Sequence, residues 1–289
     1  MTKLAVHTCG PQSLIQDLGR FGLLTSGVGH AGAADRAAFA LGNRLVGNAR
    51  SAAGVECLLG GLSVSTDTTV AIAVTGADAP LSIDGIPHAQ ATTIWLEPGQ
   101  TLRLGSPTRG LRSYLAVRGG IAVDPVLGSR STDTLSGIGP APLSPGDRLP
   151  VGDERLPLPP IDFAPVMPPT SDVVELTAIL GPRHDWFTDP HALIRGLWQA
   201  SPQSNRIGVR LDRPAQPTAP PLTRARSGEL PTEGVATGSI QVPPSGQPVI
   251  FLADHPVTGG YPVIAVLTDA DIDRASQIRP GQHLRFRLS

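Results

Sequence analysis

The chain has 289 residues, of which 40% are hydrophobic and 16% are charged. A chain of this length removes roughly 75% of its unfolded surface from water on folding, enough for one large domain or two smaller ones. Lys and Arg (23) nearly balance Asp and Glu (24), so the composition carries no electrostatic signature of nucleic-acid or anionic-membrane binding.

The cysteines and the N-terminus indicate a reducing compartment. Cys9 and Cys57 are far apart, with no CxxC or Cys/His spacing around them, so a disulfide framework or a structural zinc site has little support. The stretch MTKLAVHTCGPQ lacks the apolar core of a secretion signal, and VAIAVTGADA and VIFLADHPV are too short to span a bilayer. We therefore expect a cytoplasmic protein with no membrane partner.

Short runs of β-branched and aromatic residues predict a chain that is mostly β. All but the last of these runs end at, or just before, Gly or Asp. In chain order the runs are LSVST, VAIAVTG, TTIWLEPG, SYLAVRGG, DVVELTAILG, QPVIFLAD, YPVIAVLT and LRFRL. No βαβ alternation connects them, so a parallel doubly wound sheet is not expected.

Three helices are predicted among these strands. The first lies in AADRAAFALGNRLVGN and stops at its Gly-Asn pair. The second begins at the cap formed by Asp189 and the following proline, and it runs through ALIRGLW. The third is DADIDRASQI, capped by Asp269 or Asp271.

A Pro-Gly pair followed by Gln or Asp recurs in EPGQTLRLG, SPGDRLPVG and RPGQHLRFR. Pro and Gly suit the central positions of a type II turn, where Gly supplies the positive φ. The recurrence suggests two related β units, and the proline-rich segment between them marks a linker near Pro160–Pro169. We therefore predict an N-terminal β subdomain over 1–160, with a Gly-rich loop and a helix, and a C-terminal β subdomain over 170–289.

The Gly-rich loop is Gly27, Gly29 and Gly32, which match the G-x-G-x-x-G pattern of a dinucleotide site. No convincing strand precedes the loop and no parallel βαβ unit follows it, so we expect a helix entry with close backbone approach and no nicotinamide or flavin. Just upstream, Arg20 either forms an exposed ion pair with Asp17 or acts as a bidentate donor to a carboxylate or carbonyl.

The seven histidines show no H-E-x-x-H spacing. Adjacent side chains on a strand point to opposite faces, so His184 with Asp185, and Asp254 with His255, do not each make one shared site. We expect no metal site. A Ser-His-Asp triad stays open, although no G-x-S-x-G elbow is present.

The most informative segment is Gly238–Ile272. Between two apolar strands it gathers Asp254, His255, Thr258 and Tyr261 beside paired glycines. These residues form either a tight β connection or a set of carboxylate and hydroxyl groups suited to an amide substrate.

Blocks of sequence along the whole chain resemble the biotin-dependent carboxyltransferase domain of the allophanate hydrolase subunit 2 type. In order they are IQDLGRFGLLTSGVGHAGAADRAAFALGNRLVGN, GVECLLGG, VTGAD, GLRSYLAVRGGI, LGSRSTDT, SNRIGVRL and GSIQVPPSGQPVIFLADHPVTGGYPVIA. By the same resemblance, this domain also occurs in urea carboxylase, in the C subunit of bacterial 5-oxoprolinase and in the kinase-inhibitor antagonist KipA. Near the first helix the family usually has Ser-Gly-Ala-Met-Asp, where this chain has AGAAD ending at Asp35. Ala31 therefore stands in place of the family's serine, whose hydroxyl is missing here, whereas the aspartate is retained as Asp35.

The resemblance implies a cyclophilin-like β-barrel architecture with two β subdomains and a few short helices. It implies a cyclophilin-like partner, similar to allophanate hydrolase subunit 1 or to the B subunit of 5-oxoprolinase, and a small amide such as 5-oxoproline or urea as substrate. The chain itself is expected to bind no cofactor. Biotin on a carrier, or ATP, would act elsewhere in the assembled complex, since the sequence has no Walker A motif.

Motif position within the resemblance also implies site residues. Asn205 would hold the substrate carbonyl and Asp254 would assist proton movement as the catalytic pair. The expected substrate-binding residues are Arg20, Asp35, Arg206, Gln241, His255, Thr258 and Tyr261. We expect all of these to converge on one site, and we expect Asn205→Ala and Asp254→Ala to leave folding nearly intact while removing activity.

Three functions follow from the resemblance. One is carboxyl transfer from carboxybiotin to an amide nitrogen. The second is ATP-dependent opening of the 5-oxoproline lactam to glutamate, which suits a separate chain of this length slightly better. The third is a non-enzymatic, KipA-like regulator that binds a kinase inhibitor.

Overall fold

The computed structural model describes residues 2–153, 156–215 and 221–289. The described chain is mostly β, which confirms the predicted fold class. It separates into an N-terminal unit, made of the chain up to Phe21 together with Ala31–Pro169, and a C-terminal unit, made of Gly22–His30 and Thr170–Ser289. The predicted bounds of the two subdomains, 1–160 and 170–289, stay a prediction.

The N-terminal unit is built from short strands and one α-helix. In chain order these are β1 (Lys3–Cys9), β2 (Gln12–Gln16), α1 (Arg36–Leu45), β3 (Gly54–Leu58), β4 (Leu62–Thr66), β5 (Val70–Asp78), β6 (Leu81–Ile83), β7 (Ile86–His88), β8 (Ile94–Leu96), β9 (Thr101–Leu104), β10 (Arg109–Val117) and β11 (Arg148–Pro150).

These strands form two antiparallel sheets that share one core. One sheet has the order β11-β1-β4-β9-β6-β7 and the other the order β2-β3-β10-β5-β8. Leu4 and Leu102 from the first sheet pack in the same buried cluster as Val55 and Ile72 from the second. The helix α1 packs against β5 and β10.

The C-terminal unit is a closed barrel with one α-helix. Its elements are β12 (Val174–Leu180), β13 (Trp198–Ala200), β14 (Gly208–Asp212), β15 (Glu233–Gly234), β16 (Ser239–Gln241), β17 (Val249–Phe251), β18 (Thr258–Gly259), β19 (Val263–Leu267), α2 (Asp269–Ser276) and β20 (His283–Leu288). The barrel order is β12-β19-β16-β17-β14-β13-β20, closed by the parallel pair β12 and β20. The strands β15 and β18 pair separately.

The predicted strands are confirmed, and the helices are confirmed in part. The first predicted helix is α1, whose N-cap is Asp35. The prediction of a second α-helix is wrong. Only a short 3-10 helix forms there, over Pro190–Ile194. Gly196, with φ of 106°, follows it and precedes β13. Trp198 is a strand residue in the buried core of the barrel, and its burial there outweighs the local preference for continuing the helix. The third is α2, capped by Thr268 in extended conformation rather than by an aspartate.

The Pro-Gly repeats are hydrogen-bonded turns with a shared extra contact. They run Glu97–Gln100, Ser144–Asp147 and Arg279–Gln282, and their glycines have φ of 86°, 98° and 83°. In each, the N–H of the fourth residue donates to the carbonyl of the first at 3.0–3.1 Å. The side chain of the fourth residue also accepts the N–H of the first, at 2.9, 2.8 and 3.1 Å respectively. The Gln or Asp therefore closes the turn, a role the sequence pattern alone did not assign.

No helical segment within the described residues has both the length and the apolar character needed to cross a bilayer.

The carboxylate of Asp271 in α2 accepts a hydrogen bond from β12. We expect part of the free energy of unfolding to depend on its ionisation. Burial alone would raise the pKa of this carboxyl, but the N–H of Thr177 at 2.9 Å, the hydroxyl of Thr268 at 3.0 Å and Arg274 hold the pKa below its usual value. A carboxyl with a lowered folded-state pKa stabilises the fold above its unfolded pKa of about 3.9, and this stabilisation is lost as the pH falls through the folded pKa.

We therefore expect the Asp271→Asn variant to be less stable than the parent at neutral pH, with the difference shrinking on acidification below about pH 4. Urea unfolding between neutral and acid pH measures this. The matched control is Asp269→Asn, which removes an exposed carboxylate from the same helical turn. A stability difference for Asp271→Asn that does not change with pH would contradict the assignment.

Candidate functional site

Arg206 and Asp254 form a buried bidentate ion pair in the C-terminal unit. Nε of Arg206 donates to Oδ2 of Asp254 and Nη2 donates to Oδ1, both at 2.9 Å. The side chains are 3% and 0% exposed. Removing one partner of such a pair leaves the other as an uncompensated buried charge. This geometry contradicts our expectation that Asp254→Ala leaves folding nearly intact.

Barrel topology brings this pair together. Arg206 lies just before β14 and Asp254 lies just after β17, and the two strands pair antiparallel. The ladder continues past the strands, because Leu252 N–H donates to the carbonyl of Ile207 at 2.9 Å and Asp254 N–H donates to that of Arg206 at 3.1 Å. The side chains therefore meet at one end of a strand pair.

Asn205 adjoins this pair but is exposed. Its Oδ1 accepts the N–H groups of Ile207 at 2.9 Å and Gly208 at 3.3 Å. This Asx turn opens β14. Since Oδ1 is occupied by the turn, the Nδ2 amide is the group of Asn205 that is available to a substrate.

Gln241 and Tyr261 are in direct contact. Nε2 of the buried Gln241 donates to the carbonyl of Tyr261 at 2.9 Å, while the Tyr261 side chain stays 45% exposed. The guanidinium of Arg224 lies 5.9 Å from the centre of the Tyr261 ring, and its Nη2 donates to the carbonyl of Val242 at 3.0 Å. Arg224 was not among the expected site residues, because it lies in a polar segment without any pattern.

His255 is buried with both ring nitrogens in contact with partners. Nδ1 lies 2.7 Å from the carbonyl of Pro256 and Nε2 lies 3.0 Å from Oγ1 of Thr237. The ring stacks on Phe251 with centroids 5.7 Å apart. Thr258 lies in β18, where it is exposed and pairs with Gly234.

Arg20 is buried in the N-terminal unit, which overturns its interpretation as an exposed ion pair. It is 1% exposed, with Nη2 donating to the carbonyl of Ser131 at 2.5 Å and Nε donating to that of Val126 at 3.2 Å. The neighbouring Asp17 accepts hydrogen bonds from Ser129 Oγ at 2.7 Å, Ser131 Oγ at 2.5 Å, and the N–H groups of Gly19 at 2.8 Å and Arg130 at 2.7 Å. Together Asp17 and Arg20 hold the loop around residues 126–131.

Asp35 caps α1 and also belongs to a buried polar cluster. Its side chain accepts the Ala38 N–H at 2.9 Å, and its own N–H donates to the Tyr114 hydroxyl at 2.7 Å. Burial raises the pKa of the Tyr114 phenol well above its usual value, and the charges of Glu56 and Asp35 raise it further. The phenol is therefore neutral at physiological pH. Sequence reasoning missed Tyr114. A tyrosine inside an apolar strand is the signal that could have found it, since a buried Tyr hydroxyl needs a hydrogen-bond partner.

Gly32, the last glycine of the Gly-rich loop, lies against the protein's own backbone. A Cβ on Gly32 would lie 2.8 Å from the carbonyl of Leu18, so this glycine permits close approach of the protein's own backbone. Among the residues that the structure describes, no group of three or more His, Cys, Asp or Glu is placed to hold a metal ion.

Residues 26–288 match the family described as carboxyltransferase domain, subdomain A and B. The chain belongs to this carboxyltransferase family. The C subunit of 5-oxoprolinase from Escherichia coli strain K12 is 37% identical, covering 98% of this chain and 90% of its own. The urea amidolyase of Saccharomyces cerevisiae is 32% identical over 99% of this chain but only 16% of its own.

A solved structure shows the same fold as this carboxyltransferase domain. The crystal structure of TTHA0988 matches with a TM-score of 0.88 at 32% identity over 99% of this chain. The match covers 55% of that chain, so this domain spans about half of its length. The resemblance inferred from the sequence blocks is thereby confirmed.

The expected site of the carboxyltransferase domain is distributed over both units. Arg20 and Asp35 belong to the N-terminal unit, and the other expected residues belong to the C-terminal unit. The structure brings Arg206 to Asp254, with Asn205 beside them, and Gln241 to Tyr261. Convergence of all of these residues on one site, and their roles, stay predictions.

Proposed function

We propose that this carboxyltransferase domain works as one subunit of a heteromeric 5-oxoprolinase, in which the lactam of 5-oxoproline is opened to glutamate at the expense of ATP. The supporting observation is the end-to-end match to the C subunit of a 5-oxoprolinase, which covers 98% of this chain and 90% of that one. The urea amidolyase match covers only 16% of a much longer chain.

The proposed chemistry assigns Asn205 to the substrate. Water adds to the lactam carbonyl carbon, the C–N bond breaks, and the ring nitrogen leaves with a proton as the amine of glutamate. A second water converts ATP to ADP and phosphate in the same overall reaction. Negative charge develops on the carbonyl oxygen, and a fixed hydrogen-bond donor there stabilises the transition state. Asn205 Nδ2 is held for this role because its Oδ1 is committed to the turn. The neighbouring Arg206 and Asp254 act by holding that turn in place.

The proposal places the other components in partner chains. A cyclophilin-like protein similar to the B subunit of 5-oxoprolinase completes the assembly. ATP is bound by another subunit, because this sequence contains no G-x-x-x-x-G-K-[ST] loop. We place the complex in the cytoplasm, and the exposed Thr258 and Tyr261 face the substrate.

Reconstitution tests the proposal. The chain is mixed with A-type and B-type 5-oxoprolinase subunits from the same genome, and ATP-dependent glutamate release from 5-oxoproline is measured. We expect no turnover when this chain is left out. Full turnover without it would refute the proposal. Product formation that needs bicarbonate and a biotinylated carrier instead would favour carboxyl transfer, and binding of a kinase inhibitor without any turnover would favour the KipA-like regulator.

In the same assay we expect the Asn205→Asp variant to lose roughly a hundredfold in kcat, which corresponds to about 3 kcal/mol of transition-state stabilisation. A carboxylate still accepts the two N–H groups of the turn, so the thermal unfolding midpoint should stay near that of the parent. Gln203→Ala, at an exposed position of the same loop, is the control for a nearby change. Full activity of Asn205→Asp would remove Asn205 from the site.

A further inference from the structure

A small cavity in the N-terminal unit is lined by one arginine and mostly by residues with short side chains or none. It encloses about 220 Å³. Its walls are the turn at residues 49–53, the turn at 119–122, Gly152 and Asp153, with Arg130 opening into it. Pockets for drug-sized ligands occupy roughly 300–1,000 Å³, so this cavity suits a smaller molecule.

Arg130 is positioned at this cavity from two directions. Its backbone N–H donates to Oδ2 of Asp17 at 2.7 Å, and its Nε donates to the carbonyl of Val123 at 2.6 Å. The side-chain bond uses Nε, so the two Nη groups of the guanidinium take no part in it. Arg130 is one of the residues that line the cavity. Within the described parts of the chain, no carboxylate is placed to form an ion pair with Arg130. The two Nη groups of this half-buried guanidinium are therefore available to bind an anion in place of water.

We propose that this cavity binds a small oxyanion, a carboxylate or a phosphate group, through the Nη groups of Arg130. The planar guanidinium presents paired donors that match the two oxygens of such a group. The hydroxyl of the exposed Ser51 lies in the same wall and adds a donor. Arg130 lies in the block LGSRSTDT, which the function proposed above does not use, so this site stands independently of it.

The glycines of the wall are required by its geometry. A Cβ on Gly119, at φ 98°, would lie 1.9 Å from the carbonyl of Gly152, so only glycine lets the two turns close the wall. Asp153 carries the one negative charge among the lining residues that the structure describes, and it is exposed. Water and salt screen a charge at such an exposed position, whereas the charge of Arg130 is half-buried and less screened.

Titration of the purified chain with inorganic phosphate and, separately, with acetate tests the site. Calorimetry at low ionic strength and amide chemical shifts of residues 119–122 report binding. We expect saturable binding of at least one probe at one site, weakened tenfold or more in Arg130→Gln and less in Arg130→Lys, which keeps the charge. The probe that binds identifies a phosphate or a carboxylate ligand. Arg103→Gln, an exposed arginine in β9, is the control for net charge.

A second variant separates binding from any structural role of Arg130. Ser51→Phe fills the cavity from an exposed position while Arg130 is kept, and it should abolish binding without lowering the thermal unfolding midpoint. Binding by Ser51→Phe at the parental affinity would overturn the proposal. So would non-saturable titration, or an equal loss in Arg130→Gln and Arg103→Gln.

Discussion

Replacing Asp254 by alanine should destabilise the C-terminal unit by about 3–5 kcal/mol, because Arg206 would remain buried without its carboxylate. Two bonds of 2.9 Å are lost together, at a side chain that is 0% exposed. Chemical unfolding followed by the fluorescence of Trp186 and Trp198, both in the core of this unit, measures the change. The reverse variant, Arg206→Ala, should cost a similar amount, since it leaves the buried carboxylate unpaired.

The controls for this ion pair separate charge from position. Asp172→Ala removes an exposed carboxylate from the same unit and should change the stability by less than about 0.5 kcal/mol. The double variant Arg206→Met with Asp254→Leu should recover much of the loss, because replacing both buried charges by apolar side chains is often neutral. If Asp254→Ala and Asp172→Ala had the same free energy of unfolding, the ion pair would contribute nothing to the stability of the fold.

Replacing Asp17 by alanine should destabilise the N-terminal unit by about 3 kcal/mol or more. Hydrogen bonds to a charged acceptor contribute roughly 1.5–3 kcal/mol each, and buried donors left without an acceptor add their desolvation cost. Asp17 accepts from two serine hydroxyls and two backbone N–H groups, and it is 8% exposed. Trp95, in β8 of the same unit, reports the unfolding transition.

The matched control is Asp124→Ala, an exposed acid in the loop before the segment that Asp17 holds. We expect this variant to unfold like the parent. The stability of Asp17→Asn should lie between those of Asp17→Ala and Asp124→Ala. One carboxylate oxygen becomes an NH₂ group, which faces hydrogen-bond donors instead of accepting from them. Equal unfolding curves for Asp17→Ala and Asp124→Ala would mean that the network is not needed for stability.

The β scaffold was predictable because its signals are local. Alternating apolar residues, terminating glycines and the Pro-Gly pairs each act within a few residues, and the predicted strand runs all contain strands. The second helix failed because its cap was also local, while the demand that ended it, the burial of Trp198 in the barrel, was not. Local propensity carries no information about such a demand.

The candidate site was less predictable because its contacts join distant positions. Asp254 pairs with Arg206, 48 residues away, and Asp17 accepts from Ser129, 112 residues away. Neither pairing leaves a mark at fixed spacing in one sequence. Arg20 shows the result: a charged residue beside glycines suggested an exposed turn, and only the folded loop around Ser131 reveals that it is buried.

The closure of the C-terminal barrel has a consequence for how other chains can attach. Within the described residues, every strand of the barrel has a neighbour on both sides, so no row of unpaired backbone groups is open to an added strand. In the six-stranded sheet of the N-terminal unit, the outer strands β7 and β11 have only three residues each and carry Pro87 and Pro150, which donate no ladder hydrogen bond. Recognition by a partner at the barrel and at these two edges must therefore rely on side chains, and aggregation through these two edges is disfavoured.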